Sequence, residues 1–148
     1  MEKFCYEYPR PMVTVDIIIT AMENKEVFLL LIKRGNEPFK DTFALPGGFV
    51  DMHEDLHQAA MRELYEETGV TNINLQQFRT YGTPHRDPRG RTISVVYFCK
   101  TLSSIPDTIA GDDAAEALWF NMNNLPNMAF DHNIIVSDFI KLHLNKKL

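Results

Sequence analysis

Residues 48–70 read Gly-Phe-Val-Asp-Met-His-Glu-Asp-Leu-His-Gln-Ala-Ala-Met-Arg-Glu-Leu-Tyr-Glu-Glu-Thr-Gly-Val, and the fold is read outward from them. Asp55 followed three residues later by Gln58 has the form of a capping box, which predicts a helix beginning there. Gly69 stands where a left-handed residue closes a helix, so the segment ends at Thr68. At about 100° per residue, Leu56, Ala60, Glu63 and Glu67 fall within roughly 40° of one another, with Ala59 beside them. The stripe is apolar in its first two turns and carboxylate in its last two, with Glu66 on its flank. Glu63 and Glu67 are like charges at i,i+4, and Glu63 and Glu66 at i,i+3. Each such pair costs about 0.2–0.5 kcal/mol. The C-terminal half of a helix also disfavours anions. A solvated acidic face is the plain reading of such a cluster. A bound divalent cation is the other, because Mg²⁺ takes oxygen ligands and turns carboxylate repulsion into coordination.

On the N-terminal side, Pro46-Gly47-Gly48 is expected to turn the chain sharply and expose backbone groups, with a glycine carbonyl as an extra metal ligand. Glu54 is placed to reach back to Arg62, and Arg62 to pair with Glu66 one turn later. Further upstream, Val13 to Ala21 is β-branched and apolar and reads as a strand buried on both faces. Val27 to Lys33 reads as its hairpin partner. Arg34 to Thr42 is a polar loop, and Phe43 to Leu45 a short extended piece. Downstream, Ile73 to Tyr81, Thr92 to Thr101 and Ala117 to Asn121 read as strands. Asp131 is expected to cap a last helix with Ile135, Phe139 and Leu142 along one face. This irregular mixture predicts an α+β fold, a mixed β-sheet with helices packed on it.

The chain has 148 residues, 45% hydrophobic and 24% charged, which fits a single globular domain over 1–148. A net charge of −5 argues against a nucleic-acid or anionic-membrane surface, since either needs a basic stripe. An anionic small molecule stays compatible if bound cations and a few arginines supply local positive charge. Cys5 and Cys99 form no CxxC pair, which points to reduced thiols and a cytoplasmic protein rather than a zinc site. No signal-peptide core opens the chain, and the longest apolar runs, such as Val27 to Ile32, are too short to span a membrane.

Gly48, Glu54, Arg62, Glu63, Leu64, Glu66, Glu67, Gly69 and Val70 match G-x5-E-x7-R-E-U-x-E-E-x-G-U at every specified position. On this motif the chain resembles the Nudix family, and the likeness extends over roughly 9–142. It implies an α/β/α sandwich and metal-dependent hydrolysis of a nucleoside diphosphate joined to another group. Carried over by position, Glu63, Glu66 and Glu67 would bind Mg²⁺ (Mn²⁺ as a substitute), assisted by the Gly47 carbonyl. Glu63 and Glu67 would serve catalysis, with Arg62 and Glu54 as orienting partners. Glu63 is the first choice of catalytic base; Asp112, Asp113 and Glu116, on an acidic loop before a strand, are the alternatives. Glu116 would also supply a further metal ligand.

Pro-Arg-Pro-Met-Val-Thr-Val-Asp at 9–16, Pro38-Phe39-Lys40, Arg86-Asp87-Pro88-Arg89-Gly90 and Ala129-Phe130-Asp131-His132 resemble the ADP-ribose pyrophosphatase branch. That branch would convert ADP-ribose and water to AMP and ribose 5-phosphate. Arg34, Arg86, Asp87 and Arg89 are the expected substrate-binding residues, because guanidinium forks match phosphate and ribose oxygens. A solvated hairpin tip is the competing reading of residues 82–91. Phe43 stands where the branch carries Trp, and Asp41 and His53 where it often carries Gly, which bears on substrate choice. His57, His132 and His143 read as surface or helix histidines. Phe4, Tyr6 and Tyr8 are expected either to pack locally, to stack on a base or to form a homodimer contact. Two other functions share these features. One is hydrolysis of nucleoside triphosphates or other nucleotide sugars. The other is a non-catalytic ADP-ribose sensor, which in this branch carries a DNA-binding domain that a chain ending at Leu148 has no room for.

Overall fold

The computed structural model describes residues 3–111 and 113–144. Within them the elements run β1 (Met12–Ile18), β2 (Thr20–Glu23), β3 (Glu26–Arg34), β4 (Phe43–Ala44), β5 (Gly47–Phe49), α1 (Leu56–Thr68), β6 (Gln76–Tyr81), β7 (Thr92–Phe98), β8 (Ala114–Asn121) and α2 (His132–Phe139). α2 continues into a π-helical turn at Ile140–Leu144.

The strands form two four-stranded sheets rather than one. The first has the order β5-β1-β7-β6 and is mixed, with β1 parallel to β7 and the other pairs antiparallel. The second is antiparallel around β3, with β2 and β4 along one edge and β8 along the other. The apolar run expected as one strand therefore divides at Ile19. β1 belongs to the first sheet, and only β2 makes the hairpin with β3. Ile73 and Leu75 leave the ladder and pack into the core beneath α1, so β6 starts later than expected.

Side-chain alternation explains why both faces of these strands are apolar. Val15, Ile17, Leu30, Val95 and Tyr97 point toward α1 and meet Ala59, Ala60 and Leu64. Ile18, Leu29, Leu31 and Val96 point the other way and meet Ile135, Val136 and Phe139 of α2. Fully burying each aliphatic side chain is worth about 1.5–3 kcal/mol. The result is a helix layer on each side of a β-layer, the α/β/α sandwich. Ile135 and Phe139 are buried as expected, but Leu142 is 41% exposed because the π-turn rotates it off the packed face.

Both ends of α1 follow the sequence. The Asp55 side chain accepts from the His57 N–H, and the Gln58 side chain accepts from the Asp55 N–H. Gly69 takes a left-handed conformation and donates to the Tyr65 carbonyl. Asp131 precedes α2 but makes no side-chain cap, because its carboxylate is taken by Arg86.

Candidate active site

Pro46 bends the chain, but Gly47 and Gly48 do not form the expected sharp turn. They are strand β5, lying antiparallel against Asp16 and Val15. Two close approaches require glycine there. A Cβ on Gly47 would collide with the Val15 carbonyl oxygen and come within 2.9 Å of the Asp16 carboxylate. A Cβ on Gly48 would collide with the carboxylate of Glu63. α1 is thus pressed onto β5 through its acidic stripe, so the stripe does continue inward.

Glu67 is 6% exposed, and its one hydrogen-bond donor among the described residues is the Gly47 N–H, at 2.9 Å. Burial pushes its carboxyl pKa up to about 8, with Glu63 and Asp16 adding repulsion against the Gly47 hydrogen bond and Arg34. Burial also raises the Glu63 carboxyl, against the pull of Arg62.

Arg62 organises the remaining acids. Its Nε and Nη2 donate to both oxygens of Glu54, at 3.0 and 2.6 Å. Its Nη1 donates to Glu63 at 2.7 Å and Glu66 at 3.0 Å, and Nη2 also donates to the Phe49 carbonyl at 3.1 Å. All five guanidinium N–H groups then have partners. The hydrogen bonds with Arg62 hold Glu54 below the usual carboxylate range, and those with Glu54 raise Arg62 further above its own.

A cavity of about 310 Å³ opens beside this cluster. Glu63, Glu67, Gly47 and Gly48 line one side, and Arg34, Arg86, Asp87 and Arg89 also line it. The expected residues at these positions therefore converge. Their roles divide, however. Arg86 is held by Asp131 in a bidentate pair at 2.8 and 2.6 Å, and both side chains are largely buried. Asp87 grips Arg89, with Nε at 3.1 Å and Nη2 at 2.8 Å. Burial works to raise Asp87, but those bonds prevail and hold it low. Among the described residues Arg34 donates to the carbonyls of Pro38 and Asn36, at 2.8 and 3.5 Å. Burial and then the charge of Arg89 depress its pKa, more than Glu67, Asp87 and Asp113 offset. Such a cation favours an arriving anion.

Two expectations place differently. Glu116 sits on β8, half exposed and paired with Lys33 at 3.3 Å, and does not line the cavity. β-strand alternation sends its side chain away from Ala117, which packs inward. Glu66 reaches Arg62 but does not line the cavity either. Of the alternative bases, Asp113 lines the cavity and is tied to Asn36 at 2.9 Å, while Asp112 lies outside the described residues.

The sequence reading missed Asp16, Ser94, His132, Phe49 and Phe130. Asp16 is 7% exposed, accepts a hydrogen bond from Ser94 Oγ and stands 3.4 Å from His132 Nε2. His132, expected on a helix surface, is 4% exposed because α2 turns its first residue into the cavity. Its Nδ1 accepts from the Leu45 N–H at 3.0 Å, which leaves the proton on Nε2 facing Asp16. Burial lowers its pKa, against the attraction of Asp16, and keeps the ring neutral. The available signal was Asp16 itself, a lone acid inside a doubly buried strand.

No three His, Cys, Asp or Glu side chains among the described residues are gathered as a closed metal-ligand set. The donors nevertheless suit a hard divalent cation. All are oxygens, Glu67 is a buried carboxylate that accepts from the Gly47 N–H, and Glu63 fills the space that Gly48 leaves open.

A family model for the NUDIX domain matches residues 10–140. The chain is 46% identical over 134 residues to an ADP-ribose pyrophosphatase of Methanocaldococcus jannaschii, covering 90% of this chain and 76% of that protein. It is 36% identical to the ADPR responsive transcriptional repressor NtrR of Acinetobacter baylyi, covering 86% of this chain and 52% of the repressor. The NUDIX domain of Shewanella oneidensis NrtR, solved with ADP ribose, superposes with a TM-score of 0.82 at 29% identity, covering 90% of this chain and 89% of that one. A bifunctional NMN adenylyltransferase/ADP ribose pyrophosphatase from Francisella tularensis, solved with AMP and a Mn ion, gives a TM-score of 0.77 at 32% identity, covering 92% of this chain and 43% of that one. With motif, two-sheet sandwich and relatives in agreement, the chain belongs to the Nudix family.

Proposed function

We propose that this Nudix hydrolase cleaves the pyrophosphate of ADP-ribose, giving AMP and ribose 5-phosphate, with Mg²⁺ as its cation and Mn²⁺ as a substitute. The observation that carries the reading is one cavity with carboxylates Glu63 and Glu67 on one side and Arg34, whose guanidinium donates to backbone carbonyls, in the same lining. Likeness to the M. jannaschii pyrophosphatase supports the choice of substrate.

Glu63 and Glu67 line the cavity and, with the Gly47 carbonyl, would hold the cation; Glu66, outside that lining and bonded to Arg62, is a ligand on the family motif alone. When bound, it supplies charge neutralisation for the pyrophosphate and acidifies water. Arg62 keeps Glu63 and Glu66 aimed, and Glu54 keeps Arg62 aimed. Glu63 is assigned as the base toward water, with Asp113 as the alternative in the same cavity. Arg34 takes a phosphate oxygen. Asp87 and Asp131 hold Arg89 and Arg86 in fixed orientations. Among the described residues no helix is long and apolar enough to cross a membrane. Cys5 and Cys99 are free thiols, in keeping with a cytoplasmic location.

The experiment is a substrate panel with Mg²⁺, with phosphate release from the products read after phosphatase treatment. ADP-ribose should be the preferred substrate. Preference for a nucleoside triphosphate would move the assignment to another branch. Binding of ADP-ribose with no turnover of any nucleoside diphosphate derivative would replace hydrolysis with sensing.

A further inference from the structure

Four side chains at the cavity form an alternating ladder of rings and guanidinium groups. The Arg89 guanidinium carbon lies 4.7 Å from the ring centre of Phe49 and 5.3 Å from that of Phe130. Arg34 covers Phe130 at 5.0 Å. Phe39 meets Phe130 edge-on, with ring centres 4.9 Å apart. The members come from β3, β5, the 82–91 loop and the residues just before α2, so the tertiary fold assembles the ladder.

Two features make it a platform rather than a phosphate clamp. The Nε and Nη2 edge of Arg89 is already engaged by Asp87, whose carboxylate also accepts from the Arg89 backbone N–H at 2.9 Å. That pins the guanidinium plane and leaves its faces for stacking. Phe49 receives Arg89 on one side yet remains 39% exposed at the cavity lining, so apolar ring surface stays open there. Phe39, outside that lining, supports Phe130 edge-on. Phe130 has φ 54°, a left-handed conformation that a bulky residue rarely adopts, and holds its ring between the two arginines.

We propose that Phe49, backed by Arg89, is the subsite that stacks the planar base of the nucleotide, while Arg34 at the far end of the ladder serves the phosphates. This rests on the proposed nucleotide substrate and deepens it. A planar aromatic heterocycle is the ligand that extends a ring–cation ladder by one layer. Stacking tolerates any base, because every base has a π-face. The subsite therefore selects a nucleoside over a bare sugar phosphate, and selects weakly among bases.

The test titrates AMP and ribose 5-phosphate separately into the wild type, Phe49→Leu and Phe49→Trp, by calorimetry with Mg²⁺ present. Thermal unfolding checks that each variant is folded, and Phe49 is exposed enough for both to tolerate the change. Phe49→Leu should weaken AMP about tenfold, in line with loss of one base–aromatic stack. Ribose 5-phosphate affinity should stay unchanged, and Phe49→Trp should restore AMP. Equal AMP affinity in the wild type and Phe49→Leu overturns the proposal, as does a parallel loss for both ligands or absence of AMP binding by the wild type. A wild type that binds AMP through Phe49 but does not turn over ADP-ribose would sink the reaction assignment and leave the stacking subsite standing.

Discussion

Replacing Glu67 by Gln in metal-free protein should stabilise the fold, and the gain should grow with pH. Burial raises this carboxyl from an ordinary 4.5 to about 8 in the folded state. Below pH 4.5 it is protonated in folded and unfolded chains alike, and contributes no penalty. As pH rises, the unfolded chain ionises while the folded one holds its proton, and stability falls by about 1.4 kcal/mol per pH unit until pH passes about 8. At pH 7 the accumulated loss is on the order of 3 kcal/mol, an upper figure because water can relax into the site. Glutamine does not ionise, and its amide oxygen can still accept from Gly47. Melting of both proteins in EDTA between pH 5 and 8 measures the difference. The Gln variant should melt within about 2 °C of the wild type at pH 5 and up to roughly 10 °C higher at pH 7–8. Adding Mg²⁺ should raise the wild type most at high pH and leave Gln nearly unmoved, because binding requires the ionised carboxylate. A gap between the two proteins that is flat across this pH range would refute the idea that Glu67 is a buried acid awaiting a cation.

The other expectations concern neighbouring parts of the site. Arg62→Ala should lower kcat/KM for ADP-ribose by about 10–100-fold, with partial recovery in Arg62→Lys, since orienting partners of metal ligands have effects of that size. Gly48→Ala should leave a folded protein, checked by circular dichroism, but displace Glu63 and cost on the order of a hundredfold in rate. Asp131→Ala should destabilise by about 3–5 kcal/mol in urea unfolding, because it strands the largely buried Arg86. Chelation with EDTA should abolish turnover in the substrate-panel assay, and excess Mg²⁺ should restore it.

Local features were the legible ones. The capping box, the glycine at the end of α1 and the apolar-to-acidic stripe are each set by residues within a few positions of one another, and each appears as read. The division of Val13 to Ala21 between two sheets was not legible, because nothing at Ile19 departs from strand chemistry; what separates β1 from β2 is their partners, residues 92–98 of β7 and 26–29 of β3, which lie far apart in sequence. The same limit hid the inner side of the cavity. His132 looks like any first-turn helix residue until α2 packs against Asp16 and Leu45. Arg86 and Arg89 of the 82–91 loop were recognisable as cavity residues. Their acidic partners assign them separate tasks, and for Arg86 that partner is Asp131, 45 positions away.

The crossings at Ile19 and at Leu45–Pro46 carry a mechanical consequence. In each, a single continuous run of chain leaves one sheet and joins the other, so the two sheets are stitched together by covalent bonds, at Leu45 in the cavity lining itself. Sliding one sheet against the other would break ladders on both sides of each stitch. The gape of the cleft is therefore a property of the scaffold. Any tightening around a bound molecule falls to residues 35–42, hung between β3 and β4, because residues 82–91 are tied to the scaffold through Arg86 and Asp131.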